Sequence, residues 1–234
     1  RGTGQDGVEP MLGALTDTDT LLRRVAVRGI GRLQRPGLGR LLVPLLDDPL
    51  PSVRAEAANA IAQSISGVQR GATTADTANL TVAGAAATLT HALGVETSPW
   101  VAGVIGQSLG RLPLPDSAAA RAAEGAIRAR LARETTPGLV HGLYTLARAH
   151  RATGNLEPAS VTLLRRAAFV EPDTFVRRLS LLALASAGGL DSATAVRAAR
   201  DHDAESRRMV LRGSGTLSPA LRASLVRRAL TDPS

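Results

Sequence analysis

The sequence predicts an all-α chain, a right-handed α-α superhelix of about six helix-turn-helix repeats followed by a terminal helix. Three observations predict it. Ala, Leu, Val and Arg dominate a 234-residue chain in which 44% of residues are apolar and 2% aromatic; this favours helix and leaves few rings for a compact enzyme's pocket. A short motif recurs: an acid, then an apolar anchor followed directly by Arg, then small residues on the anchor's stripe. Between the copies run amphipathic segments, and no stretch alternates convincingly as a strand except 100–105.

The clearest copy is Asp48-Pro49…Val53-Arg54…Ala57…Ala60-Ile61-Ala62, and Glu171-Pro172…Val176-Arg177…Ala183-Leu184-Ala185 repeats it. Asp17, Leu22-Arg23, Ala26 and Gly29-Ile30-Gly31 fit, as do Asp201, Ser206-Arg207, Val210 and Gly213. Fainter copies carry Glu96 with Val101 and Ile105, and Pro137 with Gly142 and Leu146-Ala147; there Ala102 and Leu139 stand where the others have Arg. Repeat turns are therefore expected at 17–20, 47–52, 96–99, 134–138, 171–175 and 201–205. The acid is read as the start of each second helix, capping its free N–H groups, with the following Pro in the first turn. The Arg can reach an acid of its own or the neighbouring turn, so a structural ladder is expected from Asp17, Arg23, Asp48, Arg54, Glu171, Arg177, Asp201 and Arg207.

First helices are expected at about 8–15, 36–46, 75–93, 117–133, 157–168 and 190–199, and the terminal helix at 218–230. Pro36, Pro44, Pro158 and Pro219 mark starts or kinks. Residues 1–7 read as a flexible segment and 8–234 as a single repeat domain, with an inserted loop at about 66–79. Thr231-Asp232-Pro233 matches the turn at Asp48-Pro49, which predicts a piece of a longer array, and the opening at Arg1 without Met predicts a trimmed N-terminus.

The pattern resembles the HEAT repeat family, on the residues just quoted, over most of 8–232. The resemblance implies an α-solenoid whose second helices line a concave side and which scaffolds other proteins. The Arg- and Ala-rich style also resembles bacterial HEAT arrays that can be fused to a cyclophilin-type prolyl isomerase, whose catalytic domain would lie outside these residues. In size, charge and helical repeats alone the chain resembles the HEAT-like alkylpurine DNA glycosylases, but their catalytic residues do not map onto it.

The charge pattern and candidate motifs narrow the chemistry. Cysteine is absent, which removes disulfides, thiolate catalysis and cysteine metal sites. The net charge of +8 rests on 28 Arg with no Lys, which excludes lysine Schiff-base chemistry and fits a GC-rich bacterial source, cytoplasmic or periplasmic. No apolar run approaches the ~18 residues of a membrane span. Gly106-Gln107-Ser108-Leu109-Gly110 matches the G-x-S-x-G nucleophile elbow, but Ser108 falls on a small-residue position of the repeat, and Pro113 and Pro115 forbid a long following helix. Gly2-Thr3-Gly4-Gln5-Asp6-Gly7 matches G-x-G-x-x-G without a preceding strand. Asp201-His202-Asp203 reads as a capping turn before a cation site. No catalytic residue, metal or cofactor is expected, and the segment is read as a non-enzyme.

The most functional-looking surface is the second-helix face two, six and ten residues beyond each anchor: Arg24, Arg28 and Arg32; Gln63; Gln107 and Arg111; Tyr144 and Arg148; Arg178; Arg208 and Arg212. The fork of Arg suits carboxylates and phosphates. The expected partner is a protein, or another domain of the same polypeptide, held in this groove. A nucleic-acid backbone is the lesser alternative, since few rings accompany the Arg.

Overall fold

The structure, a computed structural model, describes residues 8–66, 80–149 and 156–232. The expected N-terminal segment, with its G-x-G-x-x-G, and nearly all of the expected insertion at 66–79 lie outside the described residues. Among those residues every regular element is helical. In chain order they are α1 Glu9–Ala14, α2 Thr20–Arg32, α3 Pro36–Gly39 running into a 3-10 helix Arg40–Asp47, α4 Pro51–Ser64, α5 Val82–Val95 and α6 Pro99–Gly110. There follow α7 Ser117–Leu131, α8 Pro137–Ala149, α9 Pro158–Val170, α10 Thr174–Ser186, α11 Ser192–Ala198, α12 Ala204–Gly213 and α13 Pro219–Leu230. The 100–105 stretch is not a strand but lies inside α6, and Pro44 holds its segment as the tighter 3-10 helix.

The even-numbered helices are the second helices of the six units. They pack on one another in one uninterrupted row, α2 to α12, whereas the first helices pack on each other less extensively, along α5, α7 and α9. One apolar core runs between the two layers, from Leu15 to Leu225. Its anchors Val53, Val101 and Val176 are buried. Leu22 differs: it is exposed, because no described unit stacks on the N-terminal side of α2.

The turn chemistry corrects the expected capping. The N-caps are Asp19, Leu50, Ser98, Asp173 and Asp203, not the recurring acid. The acid stands two residues earlier and takes the amide N–H of the cap residue itself: Asp17 from Asp19, Asp48 from Leu50, Glu96 from Ser98, Asp201 from Asp203, all at 2.7–2.8 Å. This is the local turn that short acidic side chains favour. The prolines of the first helical turn are Pro51, Pro99 and Pro137, not Pro49 and Pro172. In the fourth unit Thr136 Oγ1 accepts from the Leu139 amide. Counted from that cap, Val140 and not Leu139 holds the position of Arg23, Arg54, Arg177 and Arg207.

Each of those four arginines divides its guanidinium between two units. Nη1 turns back to the carbonyls that close its own turn: Arg23 to Asp17 and Thr18, Arg54 to Asp48 and Pro49, Arg177 to Glu171 and Pro172, Arg207 to Asp201 and His202. The rest of the fork reaches forward to the next acid. Arg23 binds Asp48 at 3.0 and 3.3 Å, Arg54 binds Glu96 at 2.8 Å through both oxygens, and Arg207 binds Asp232 at 2.5 and 2.7 Å. Arg177 lies 3.6 Å from Asp201. Glu171 itself contributes its carbonyl. Burial disfavours the Glu96 carboxylate, but the Arg54 fork, the Ser98 and Thr97 amides and the Arg54 charge outweigh it and hold its pKa below the ordinary value.

Units three and four, which lack the ladder Arg, are joined differently. Gly103, Gly106 and Gly110 of α6 face Gly138 and Gly142 of α8 at backbone contact. A Cβ on Gly142 would lie against the Gly106 carbonyl, and one on Gly110 would stand 2.7 Å from the Gly142 Cα. The rung left empty by Ala102 is filled from another helix. Arg130 of α7, itself buried, donates to the Glu96 carbonyl at 2.8 Å and pairs with Glu134 of the fourth turn. Among the described residues no ion pair continues from Glu134 to Glu171.

Candidate functional site

The second helices leave one face open to solvent. A helix turns 100° per residue, so positions separated by about 4, 7 and 11 residues return to one side. On α2 that side carries Leu21, Val25, Arg28 and Arg32; on α4, Ser52, Glu56, Asn59 and Gln63; on α6, Trp100, Val104, Gln107 and Arg111. On α8 that register falls on Gly138 and Gly142, which face α6, so the face there runs through the unburied His141, Tyr144 and Arg148, one residue earlier; it continues through Phe175 and Leu182 of α10, and Glu205, Met209 and Arg212 of α12.

Arg28, Arg32, Gln63, Gln107, Arg111, Tyr144, Arg148 and Arg212 therefore share this face. Arg24 and Arg178 do not. Their position on α4 and α6 is occupied by Ala55 and Gly103, both buried, because it points at the next unit. Arg178 grips Asp203, the cap of α12, through both oxygens, and those bonds hold the Asp203 carboxyl well below its usual pKa. The Nε of Arg24 is enclosed with no hydrogen-bond partner. Arg208 holds the same register on α12 and pairs with Glu205 at 3.3 Å.

The side chains of the open face interlock across units. Arg28 binds Glu56 at 2.6 Å and Arg111 binds Asn59 at 2.7 Å. Arg148 donates to the Tyr144 hydroxyl at 3.0 Å and lies over that ring, whose edge meets His141. Burial and the nearby Arg111 charge push His141 below the ordinary histidine pKa, which favours its neutral form. Arg32, Arg111 and Arg148 make no ion pair among the described residues.

Sequence reasoning missed the opposite edge of this face. Leu21 is 62% exposed, Val25 60%, Trp100 58% and Phe175 58%. Leu21, Trp100 and Phe175 stand at one register, two residues after the caps Asp19, Ser98 and Asp173. The signal was present in the motif: small residues at Ala55 and Gly103 mark that column as a helix contact, which moves the open stripe one residue later, to Val25, Glu56, Val104 and Met209.

The G-x-S-x-G stretch forms no nucleophile elbow. It lies inside α6, its two glycines face α8, and Ser108 is fully buried. In Asp201-His202-Asp203 both carboxylates face arginines, Arg177 and Arg178. Among the described residues no group of three His, Asp or Glu converges as a metal site, and no helix is long and apolar enough to cross a membrane. A family model for HEAT repeats matches residues 8–110. No curated protein matches the chain.

Proposed function

We propose, for a chain whose residues 8–110 belong to the HEAT-repeat family, that the array is a non-catalytic scaffold which holds a protein partner, or another domain of its own polypeptide, on the open face of its second helices. HEAT repeats generally mediate protein interactions; fold alone does not fix this one's role. The observation that carries the reading is the open face itself. Arg32, Arg111 and Arg148 offer charge that no carboxylate among the described residues pairs with, beside rings and aliphatic side chains that water covers, over a closely packed row of helices.

The test replaces Arg32, Arg111 and Arg148 together by Glu in the full chain. All three are exposed, and only Arg111 ties one second helix to another, through Asn59, so the thermal midpoint is expected to fall by no more than a few degrees. Proteins captured by the wild type from an extract of the source organism should be lost from the variant. An unchanged partner list, or a hydrolytic activity of the chain that Ser108→Ala abolishes, overturns the proposal.

A further inference from the structure

The open face has two tracks. Its apolar edge follows the N-terminal ends of the second helices, through Leu21, Val25, Trp100, Val104 and Phe175. Its cationic edge follows their C-terminal ends, through Arg32, Arg111 and Arg148. Leu21 and Arg32 on α2, and Trp100 and Arg111 on α6, are eleven residues apart, which at the helical rise is about 16 Å on one side of the helix. Between the tracks lies a mixed floor of Glu56, Asn59, Gln107, His141 and Tyr144. Arg28 is already neutralised by Glu56, so the surplus charge sits at the outer edge.

We infer that the occupant of this face is an amphipathic acidic helix of a partner protein, running across the second helices, with its apolar stripe on the Trp100–Phe175 track and its Asp/Glu stripe on the Arg32–Arg111–Arg148 track. The inference rests on the partner-binding reading above and specifies the partner. Charge and shape select it. A helix is about 10–12 Å across with its side chains, a few ångströms less than the separation of the tracks, and the long Arg side chains close the difference, so it can touch both. A purely acidic chain leaves Trp100 and Phe175 wet, and a purely apolar helix leaves three arginines facing it without counter-charge. A phosphate backbone has nothing to offer the ring-bearing edge.

Trp100 is the single tryptophan of the sequence, so its emission reports directly on the apolar track. The probe is a synthetic peptide of about 18 residues, a helix of ~27 Å that crosses three units, with Leu on one stripe and Glu on the neighbouring one. Titration into the full chain should shift Trp100 emission to the blue and raise the anisotropy of a labelled peptide. Four weaker cases are expected, each by tenfold or more: the same residues in scrambled order, the peptide with Gln for Glu, the Phe175→Ser variant and the Arg111→Glu/Arg148→Glu variant. Equal binding of the scrambled or Gln peptide, absence of binding, or tighter retention of duplex DNA than of the peptide overturns the inference. The two readings fail separately. A partner that needs the open face but cross-links to Trp100 through a basic or stripe-free segment overturns the helix and leaves the scaffold. A partner indifferent to the face overturns both.

Discussion

Units one, two, five and six are joined by charge, whereas units three and four are joined by the absence of side chains. In the first case Arg23, Arg54, Arg177 and Arg207 each bind their own turn and the next. In the second, Gly103, Gly106 and Gly110 let α6 lie backbone to backbone on α8. The two devices solve one problem, the alignment of successive second helices, and their costs differ. A ladder rung tolerates some separation between helices and loses its value when its acid is protonated. A glycine contact is indifferent to pH but admits no added atom. Glu96 is where they meet, since its carboxylate receives Arg54 and its carbonyl receives Arg130.

The largest effect is expected at the glycines. Gly142→Leu should cost at least about 3 kcal/mol in denaturant unfolding, because the new side chain starts at the Gly106 carbonyl; a loss under about 1 kcal/mol would mean that α6 and α8 do not touch as described. Next is the junction. Glu96→Ala removes a buried carboxylate, strands the half-buried Arg54 fork and the Ser98 amide, and should cost about 3 kcal/mol at pH 7. The pH dependence has a definite sign. The folded pKa of Glu96 lies below its ordinary 4.5, so the unfolded chain binds more protons and the stabilisation is complete above that value. It fades as the pH falls through the lower folded pKa. The stability gap between wild type and Glu96→Gln should therefore narrow in acid, while the cost of Gly142→Leu stays constant; parallel acid profiles would refute the assignment.

A smaller effect sharpens the contrast. Arg130→Ala should cost about 2 kcal/mol, and Ala102→Arg in the same chain should recover at least half of it, since residue 102 has the ladder register and the Glu96 carbonyl becomes free. No recovery would show that Arg130 does more than fill a missing rung. The smallest effect has the opposite sign. Gly94, on the exposed end of α5, has open space around its Cβ position, so Gly94→Ala should stabilise by about 0.5–1 kcal/mol. A thermal midpoint that falls instead would mean that helix glycines in this chain are not divided between contact and idle positions.

What could be read from the sequence follows the same division. The ladder arginines stand at a fixed distance after an acid on the same segment, so their periodicity exposed them. Arg130 reaches the third turn from a different helix, 34 residues along the chain from Glu96, and no local pattern announces it. The glycines of α6 were visible but chemically ambiguous, because G-x-S-x-G describes a strained elbow and a close-packed helix equally well until a neighbour is seen. The Arg half of the open face was legible because charge is conspicuous. Trp100 and Phe175 were not, since an isolated ring in a helix is usually core, and only the register of the caps Ser98 and Asp173 turns them outward.

The gap between Glu134 and Glu171 has its own consequence. In a stack whose members feel only their neighbours, cooperativity extends as far as the coupling between them. With no rung there, units four and five are held instead by the packing of α8 on α10 and by Glu157, whose amide donates to Glu124 and whose carboxylate pairs with Arg128. At this junction the polar link crosses to the first helices, so the stack stays coupled while its charged seam changes sides.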